Sequence, residues 1–364
     1  MRRLLPLAFV LLIFAGGADG AATRARPVVY TLLVDNRLLA LGADARPVFR
    51  LRLGPVQRQP AEGAHLALAP GGRTLYVLVQ GSARSGDSVA FVDTARRVVT
   101  ERVRLPRRTL FHVLALAPAT HRLYVVGDRP ARGPQQPVVS ALDTTRRRLL
   151  WTALVPREDG LDWSVYGAAV EPGEQTLLVS YHGSSTTGAD RLRIGPNGVE
   201  ACTPPPRPYP GRACIEIHGR IEPYGDELVA ATGDGRSILV LDREGRRMRN
   251  LDPGLAGNHL MEFALDRTRG LLYAVGSCGY AGGLAEVTIS SGRRRLLERP
   301  RNRRICGERI VVASPILLAI AAPPRPVPST GFGGRIELVR RSDGKLVAAL
   351  PTNDDPVDVV AAPP

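Results

Sequence analysis

His65, His218, Glu262 and Asp358 share one recurring position along this chain of 364 residues. His112, Tyr166, His259 and Asp355 lie beside that position in sequence. An imidazole that titrates near neutral pH takes or gives a proton and can ligate a metal. A carboxylate serves as a base or as a ligand, and a phenol donates or accepts a hydrogen bond. Gathered at one mouth, these groups would bind a small polar ligand. Scattered over separate elements, they would be nothing more than wet strand ends. The elements that position them therefore decide the reading.

Those elements repeat, with a period of about forty-eight residues. The segment from Ala64 to Val79 and the segment from His112 to Val126 both give a small-residue strand, a Pro-bearing turn, and Leu-Tyr-Val opening a second strand. Tyr166 to Val179 is a third copy, His218 to Ala230 a fourth, Glu262 to Val275 a fifth, and Arg309 to Ala321 a degenerate sixth. The second half of the unit repeats as well. Val89 to Thr100, Val139 to Trp151, Ile238 to Arg246 and Ile336 to Val347 follow one plan: an apolar run, an Asp- or Gly-bearing turn, and another apolar run. That plan is a hairpin signature. Four short strands per unit without helical periodicity describe a propeller blade.

The two ends complete the count. Residues 355–363 read as a first strand with nothing after it, and Pro27 to Val34 reads as a second strand with no first. Joining them builds one blade from both termini and removes the large open edge of the ring. The expectation is an all-β, seven-bladed β-propeller over residues 23–364, a size that suits about forty to fifty residues per blade.

These units resemble the YVTN-type seven-bladed propellers of bacterial exported proteins, through the Leu-Tyr-Val openings and the Val-Asp-Thr-Ala-Arg-Arg and Leu-Asp-Thr-Thr-Arg-Arg hairpins. The blades built on residues 166–201 and 309–350 depart from the pattern. The resemblance implies an architecture; its members include surface proteins, dehydrogenase subunits and lactonase-like enzymes, so it does not imply one activity. In such rings ligands meet the face where the inner strands begin. Reading that position blade by blade gives His65, Val113, Gly167, His218, Glu262, Gly307 or Glu308, and Asp358. By blade count, the Asp358–His65 pair faces the His218–Glu262 pair across the channel, which argues against one four-ligand metal shell. No metal is assigned, and cofactor and catalytic residues are left unassigned.

Other groups carry less. Trp151 resembles the docking tryptophan of quinoprotein propellers, but Glu101 and Asn250 occupy the equivalent positions, so it reads as ordinary blade packing. His182 lies beside Ser184 and Ser185 in a Gly/Ser/Thr loop, and no G-x-S-x-G elbow supports a nucleophile there. Pro323 to Pro328 reads as an exposed loop.

Arg2-Arg3, the apolar run Leu4 to Phe14 and the small residues up to Ala22 describe a secretory signal peptide over residues 1–22. Its apolar run is too short to span a bilayer. The expected product is secreted or periplasmic, with no transmembrane segment and a monomeric state. The four cysteines of an exported chain then read as two disulfides; the sequence allows three pairings, and the repeat favours Cys202–Cys214 with Cys278–Cys306. Net charge is +15, and Lys345 is the only lysine. The arginine groups at 96–97, 146–148, 246–247, 293–295 and 303–304 fall in hairpin turns and read as solvated. No aromatic platform accompanies them, so nucleic acid is not the expected partner. The reading is a binding scaffold for a small molecule or protein at the propeller face, with a lactonase-like hydrolase at the channel mouth as the alternative and a quinoprotein-type dehydrogenase behind it.

Overall fold

The computed structural model describes residues 26–54, 65–82, 85–129, 136–155, 163–183, 187–201, 217–232, 237–242, 247–255, 262–276, 282–298, 305, 307, 309–322, 334–352 and 356–362. The signal segment, His259, Glu308, Asp355, Ser184, Ser185, the four cysteines and Pro323 to Pro328 lie outside the described residues. The described residues form seven four-stranded antiparallel sheets and no helix. None of them therefore lies in a helix long and apolar enough to cross a membrane.

Blade one contains β1 (Val29–Leu33), β2 (Arg37–Leu41) and β3 (Pro47–Arg52). Blade two is β4 (Leu66–Leu68), β5 (Thr74–Val79), β6 (Ser88–Asp93) and β7 (Val98–Arg104). Blade three is β8 (Leu110–Ala117), β9 (Arg122–Arg129), β10 (Gln136–Asp143) and β11 (Arg148–Leu154). Blade four is β12 (Trp163–Val170), β13 (Thr176–Gly183), β14 (Thr187–Ile194) and β15 (Val199–Ala201). Blade five is β16 (Ile217–Tyr224), β17 (Glu227–Thr232), β18 (Ile238–Leu241) and β19 (Arg247–Leu251). Blade six is β20 (Glu262–Asp266), β21 (Leu271–Val275), β22 (Leu284–Thr288) and β23 (Arg294–Glu298). Blade seven is β24 (Arg309–Val312), β25 (Leu317–Ala322), β26 (Arg335–Arg340) and β27 (Leu346–Pro351). The last strand, β28 (Pro356–Ala361), returns to blade one, where the sheet order is β28-β1-β2-β3.

This return closes the ring as the two ends of the sequence require. Tyr30 faces Val360, Thr31 faces Val359 and Leu32 faces Asp358 across the β1–β28 pair. The buried Thr31 hydroxyl donates to the Asp358 carbonyl at 2.9 Å. Apolar residues from facing sheets form a core between each pair of neighbouring blades. Val29 and Leu41 pack with Ile336 and Leu338 between blades one and seven, and Leu38 with Val77 and Val92 between blades one and two. The middle strands have apolar side chains on both faces, as in Leu75 to Val79, because a sheet lies on either side of them. The outer strands alternate, and β7 keeps Val103 buried between exposed Arg102 and Arg104.

The hairpin turns explain their own sequence. Asp93 Oδ1 accepts the Arg96 amide at 2.8 Å, and the Arg97 amide closes on the Asp93 carbonyl at 2.8 Å. The last turn residue is left-handed in each case: Arg97 (φ 62°), Arg147 (φ 54°), Gly292 (φ 68°) and Gly344 (φ 69°). Two of the turn arginines are not merely solvated. Arg97 stacks over Phe49 of the preceding blade at 5.6 Å from the ring centre, and Arg147 over Phe91 at 6.0 Å. The preceding blade thus offers a ring to the next blade's turn, a contact between units that a single repeat does not reveal. Trp151 packs against the core between blades three and four, 6.2 Å from the Tyr124 ring.

A deeper clamp ties blade six to blade seven. Arg341, 4% exposed, donates to Asp266 Oδ2, to the Tyr273 hydroxyl at 3.0 and 3.1 Å, and to the Ser314 and Pro315 carbonyls at 3.2 and 3.1 Å. Burial works against the charge of Asp266. The bond and charge of Arg341 outweigh it and hold the carboxyl below its ordinary range.

Candidate functional site

The inner strands surround a central cavity of about 710 Å³, whose wall includes Leu66, Leu114, Tyr166, Arg220, Arg309 and Asp358. Most of that wall is aliphatic; its charged groups are Glu171 and Glu174 of blade four and an arc that runs from Arg220 and Glu222 of blade five through Arg267 and Arg309 to Asp358 of blade one. Arg309 opens β24 and is the centre of this arc. Its Nη1 donates to Glu262 Oε1 of blade six, and its Nε lies 3.9 Å from Asp358 Oδ1 of blade one. Arg220, from blade five, donates Nη1 to the Ile310 carbonyl of blade seven at 3.0 Å. Its Nε pairs with Glu222 at 2.5 Å, and Glu222 also receives Arg267 at 3.3 Å. The charges alternate along one arc of the channel.

The two carboxylates that hold Arg309 differ in their surroundings. Asp358 has an amide donor on each oxygen: Leu66 N–H at 2.8 Å on Oδ2 and Val359 N–H at 2.8 Å on Oδ1. Glu262 has Arg309 on Oε1, while its buried Oε2 has no hydrogen-bond partner. Burial raises the proton affinity of both groups, and the Arg309 charge opposes the rise in each. For Glu262 the charges of Asp358 and Glu222 add to it.

Asp358 also has a structural task, and it is not alone in it. Its carboxylate caps the first amide of the next blade's inner strand. Asp87 likewise accepts the N–H of Phe111, the second residue of β8, at 3.1 Å, and Asp128 that of Val165, the third residue of β12, at 3.2 Å. Each innermost strand is an edge of its sheet, and a buried amide on that edge needs an acceptor from outside the ladder. Burial raises the proton affinity of Asp87 in spite of its bonds from the Gly81 and Phe111 amides.

The residues aligned by sequence fall into three groups. Glu262 and Asp358 come together, but through Arg309 rather than across the channel, because only blade seven separates their blades. His112 pairs through Nε2 with Asp128 at 3.1 Å, and Tyr166 reaches the cavity wall. Both are bulge residues, at the register shifts between Phe111 and Val113 and between Val165 and Gly167. A bulge re-aims its side chain. Gly127 permits the first one, since a Cβ there would stand 2.1 Å from the Leu110 carbonyl oxygen. His65 is separate from these: it is 2% exposed, and the wall at its blade is formed by Leu66. Val113 and Gly167 are buried inner-strand residues, and His218 lies on β16, whose register shifts between Ile217 and Ile221. Arg220 lines the wall from blade five, and Arg309, two residues past the aligned Gly307, lines it from blade seven. Arg220, Arg309 and Asp128 were not marked by the alignment. The adjacency of Arg309 to the aligned Gly307 was the available signal for it. Among the described residues, no three His, Cys, Asp or Glu side chains converge as a metal site would require.

No family model matches the sequence, and no curated protein matches it. Solved structures do match in fold. A Bacteroides fragilis protein provisionally assigned as a 6-phosphogluconolactonase superposes with a TM-score of 0.63 at 12% identity, over 95% of this chain and 100% of that one. The periplasmic gluconolactonase of Pseudomonas aeruginosa gives 0.61 at 16% identity, over 92% and 99%. The dihydro-heme d1 dehydrogenase NirN gives 0.52 at 15% identity, over 93% of this chain and 76% of that one. At such identities the likeness is one of fold alone.

Proposed function

We propose that the protein is an exported propeller that binds a small polar ligand in its central channel, with Arg309, Arg220, Tyr166 and Asp358 as the polar wall. The observation that carries this reading is Arg309: a guanidinium on the wall of a cavity of about 710 Å³, held in place by Glu262 from one side and Asp358 from the other. The volume lies within the range of small-molecule sites, and a mostly apolar wall with a few convergent polar groups is their usual composition.

Lactonase-like hydrolysis is the second reading, favoured by the gluconolactonase among the fold neighbours. It needs a base with a free carboxylate oxygen or imidazole nitrogen on the cavity. Asp358 and Glu174 have an amide donor on both oxygens, Glu262 is not on the cavity wall, and the wall carboxylates Glu171 and Glu222 are each paired with a guanidinium, Arg191 and Arg220, although Glu171 Oε1 has no hydrogen-bond partner. Binding is therefore placed ahead of turnover.

Titration calorimetry with D-gluconate and D-glucono-1,5-lactone, alongside a pH-stat assay of lactone opening, tests both readings. Arg309→Met is expected to weaken ligand binding about tenfold to a hundredfold, the loss of one charge-assisted hydrogen-bonding group. Unchanged affinity in a folded Arg309→Met protein refutes the assignment of the wall, and lactone turnover above the buffer rate would favour the enzyme. Export, the disulfides Cys202–Cys214 and Cys278–Cys306, and kinship with YVTN-type propellers belong to the same proposal. Mass spectrometry of the secreted protein, before and after reduction, checks the first two.

A further inference from the structure

We propose that the channel accepts a small organic carboxylate at Arg309, and that this anion enters together with one proton, which settles on Glu262. The inference rests on the channel-binding reading and adds the ligand's charge class and its coupling to pH.

Arg309, Arg220 and Arg267 carry three positive charges, and Glu262, Asp358 and Glu222 carry three negative ones. With all six ionised, the arc is neutral and has no charge to spare. A ligand carboxylate adds a fourth anion to a region where Glu262 and Asp358 are 6% and 5% exposed. An uncompensated charge there is far more costly than a proton taken from solvent. The proton goes to the carboxylate that loses least by accepting it. Asp358 would weaken two amide bonds that also hold the next blade, whereas Glu262 has a buried oxygen with nothing bound to it.

The groups that face Glu262 act in the same direction. Among the described residues they are Arg309 on β24, Arg220 and Glu222 on β16, and Asp358 on β28. Burial is the largest influence and favours the neutral acid, the two carboxylates support it, and the two guanidinium groups resist it. Once Glu262 is neutral, Arg309 has lost the negative charge of the carboxylate bonded to its Nη1, and the guanidinium already stands on the cavity wall. The incoming carboxylate replaces that charge. No bond is made or broken: one proton moves from buffer to Glu262 for each anion bound.

Calorimetry of the whole mature chain with D-gluconate, and with glycolate as a smaller acid, in two buffers of different ionisation enthalpy reads the proton directly. The expected result is uptake of about one proton per acid, with affinity falling about tenfold for each pH unit above the titration of Glu262. D-Glucono-1,5-lactone, the neutral comparator, should bind without proton uptake. Glu262→Gln should bind the acids with neither proton uptake nor that slope. Acid binding with no proton uptake in the wild type, a slope retained in Glu262→Gln, or binding of the lactone but of neither acid overturns the inference and leaves channel binding standing. Binding of none of the three compounds at any pH removes the channel reading and this inference together. If Glu262→Gln does not fold, the wild-type proton count decides alone.

Discussion

Replacing Asp358 by Ala tests the place where ring closure and the channel wall meet. The substitution removes a carboxylate that accepts the Leu66 and Val359 amides, both at 2.8 Å, and that lies 3.9 Å from Arg309. Each amide left buried without an acceptor costs about 1–3 kcal/mol. Part of that loss is offset, because burial of the carboxylate is itself unfavourable and raises its proton affinity. The balance predicts a destabilisation of about 2–4 kcal/mol for Asp358→Ala. Asp358→Asn keeps the shape and one acceptor, so about 1–2 kcal/mol is expected. Urea unfolding followed by tryptophan fluorescence gives the free energies. Amide hydrogen exchange at Leu66 reports the local consequence, since that N–H loses its acceptor in the Ala variant. Asp87→Ala should show the same exchange effect at Phe111, its own partner in the next blade. Asp358→Ala within about 0.5 kcal/mol of wild type, with Leu66 exchanging no faster, would refute the clasp.

The remaining expectations concern the clamp between blades six and seven and the effect of pH. Arg341→Met leaves Asp266 buried with only Arg269 nearby, at 3.9 Å, and should cost about 2–4 kcal/mol in urea unfolding; a cost below about 0.5 kcal/mol would show that the clamp contributes nothing. Asp266 has a folded proton affinity below its ordinary one, so its contribution is present above the ordinary Asp range and is lost as pH falls through it. Glu262 and Asp358 act in the opposite sense: both are raised, so their contribution is greatest in acid and declines as pH rises through their folded values. Unfolding free energy measured against pH should therefore lose its acid-side decline in Arg341→Met and its rise-with-acid component in Glu262→Gln. Identical profiles for wild type and both variants would contradict these assignments.

How far the sequence spoke depended on whether the physics was local. The Leu-Tyr-Val openings and the Asp-Thr-x-Arg-Arg turns are local devices. An apolar run and an Asp that caps its own turn specify a hairpin without help from the rest of the chain, so the blades were legible. Closure was legible too, because a lone first strand at one end and a missing first strand at the other have one economical solution. Asp358 and Glu262 followed from the repeat. Arg309 and Arg220 did not, because they lie two residues past the aligned positions Gly307 and His218, and in blade five the register of the inner strand shifts between Ile217 and Ile221. The bond from the Val165 amide to Asp128 and the stacking of Arg97 on Phe49 depend on the neighbouring blade, which a comparison of one unit with the next does not contain.

A crystal structure grown with D-gluconate in mildly acidic buffer is the most direct measurement of the central claim. Density for the acid is expected inside the channel, with its carboxylate at the Arg309 guanidinium and Glu262 still behind it. An acid bound on the outer rim, or one whose carboxylate turns away from Arg309 within the channel, would contradict it.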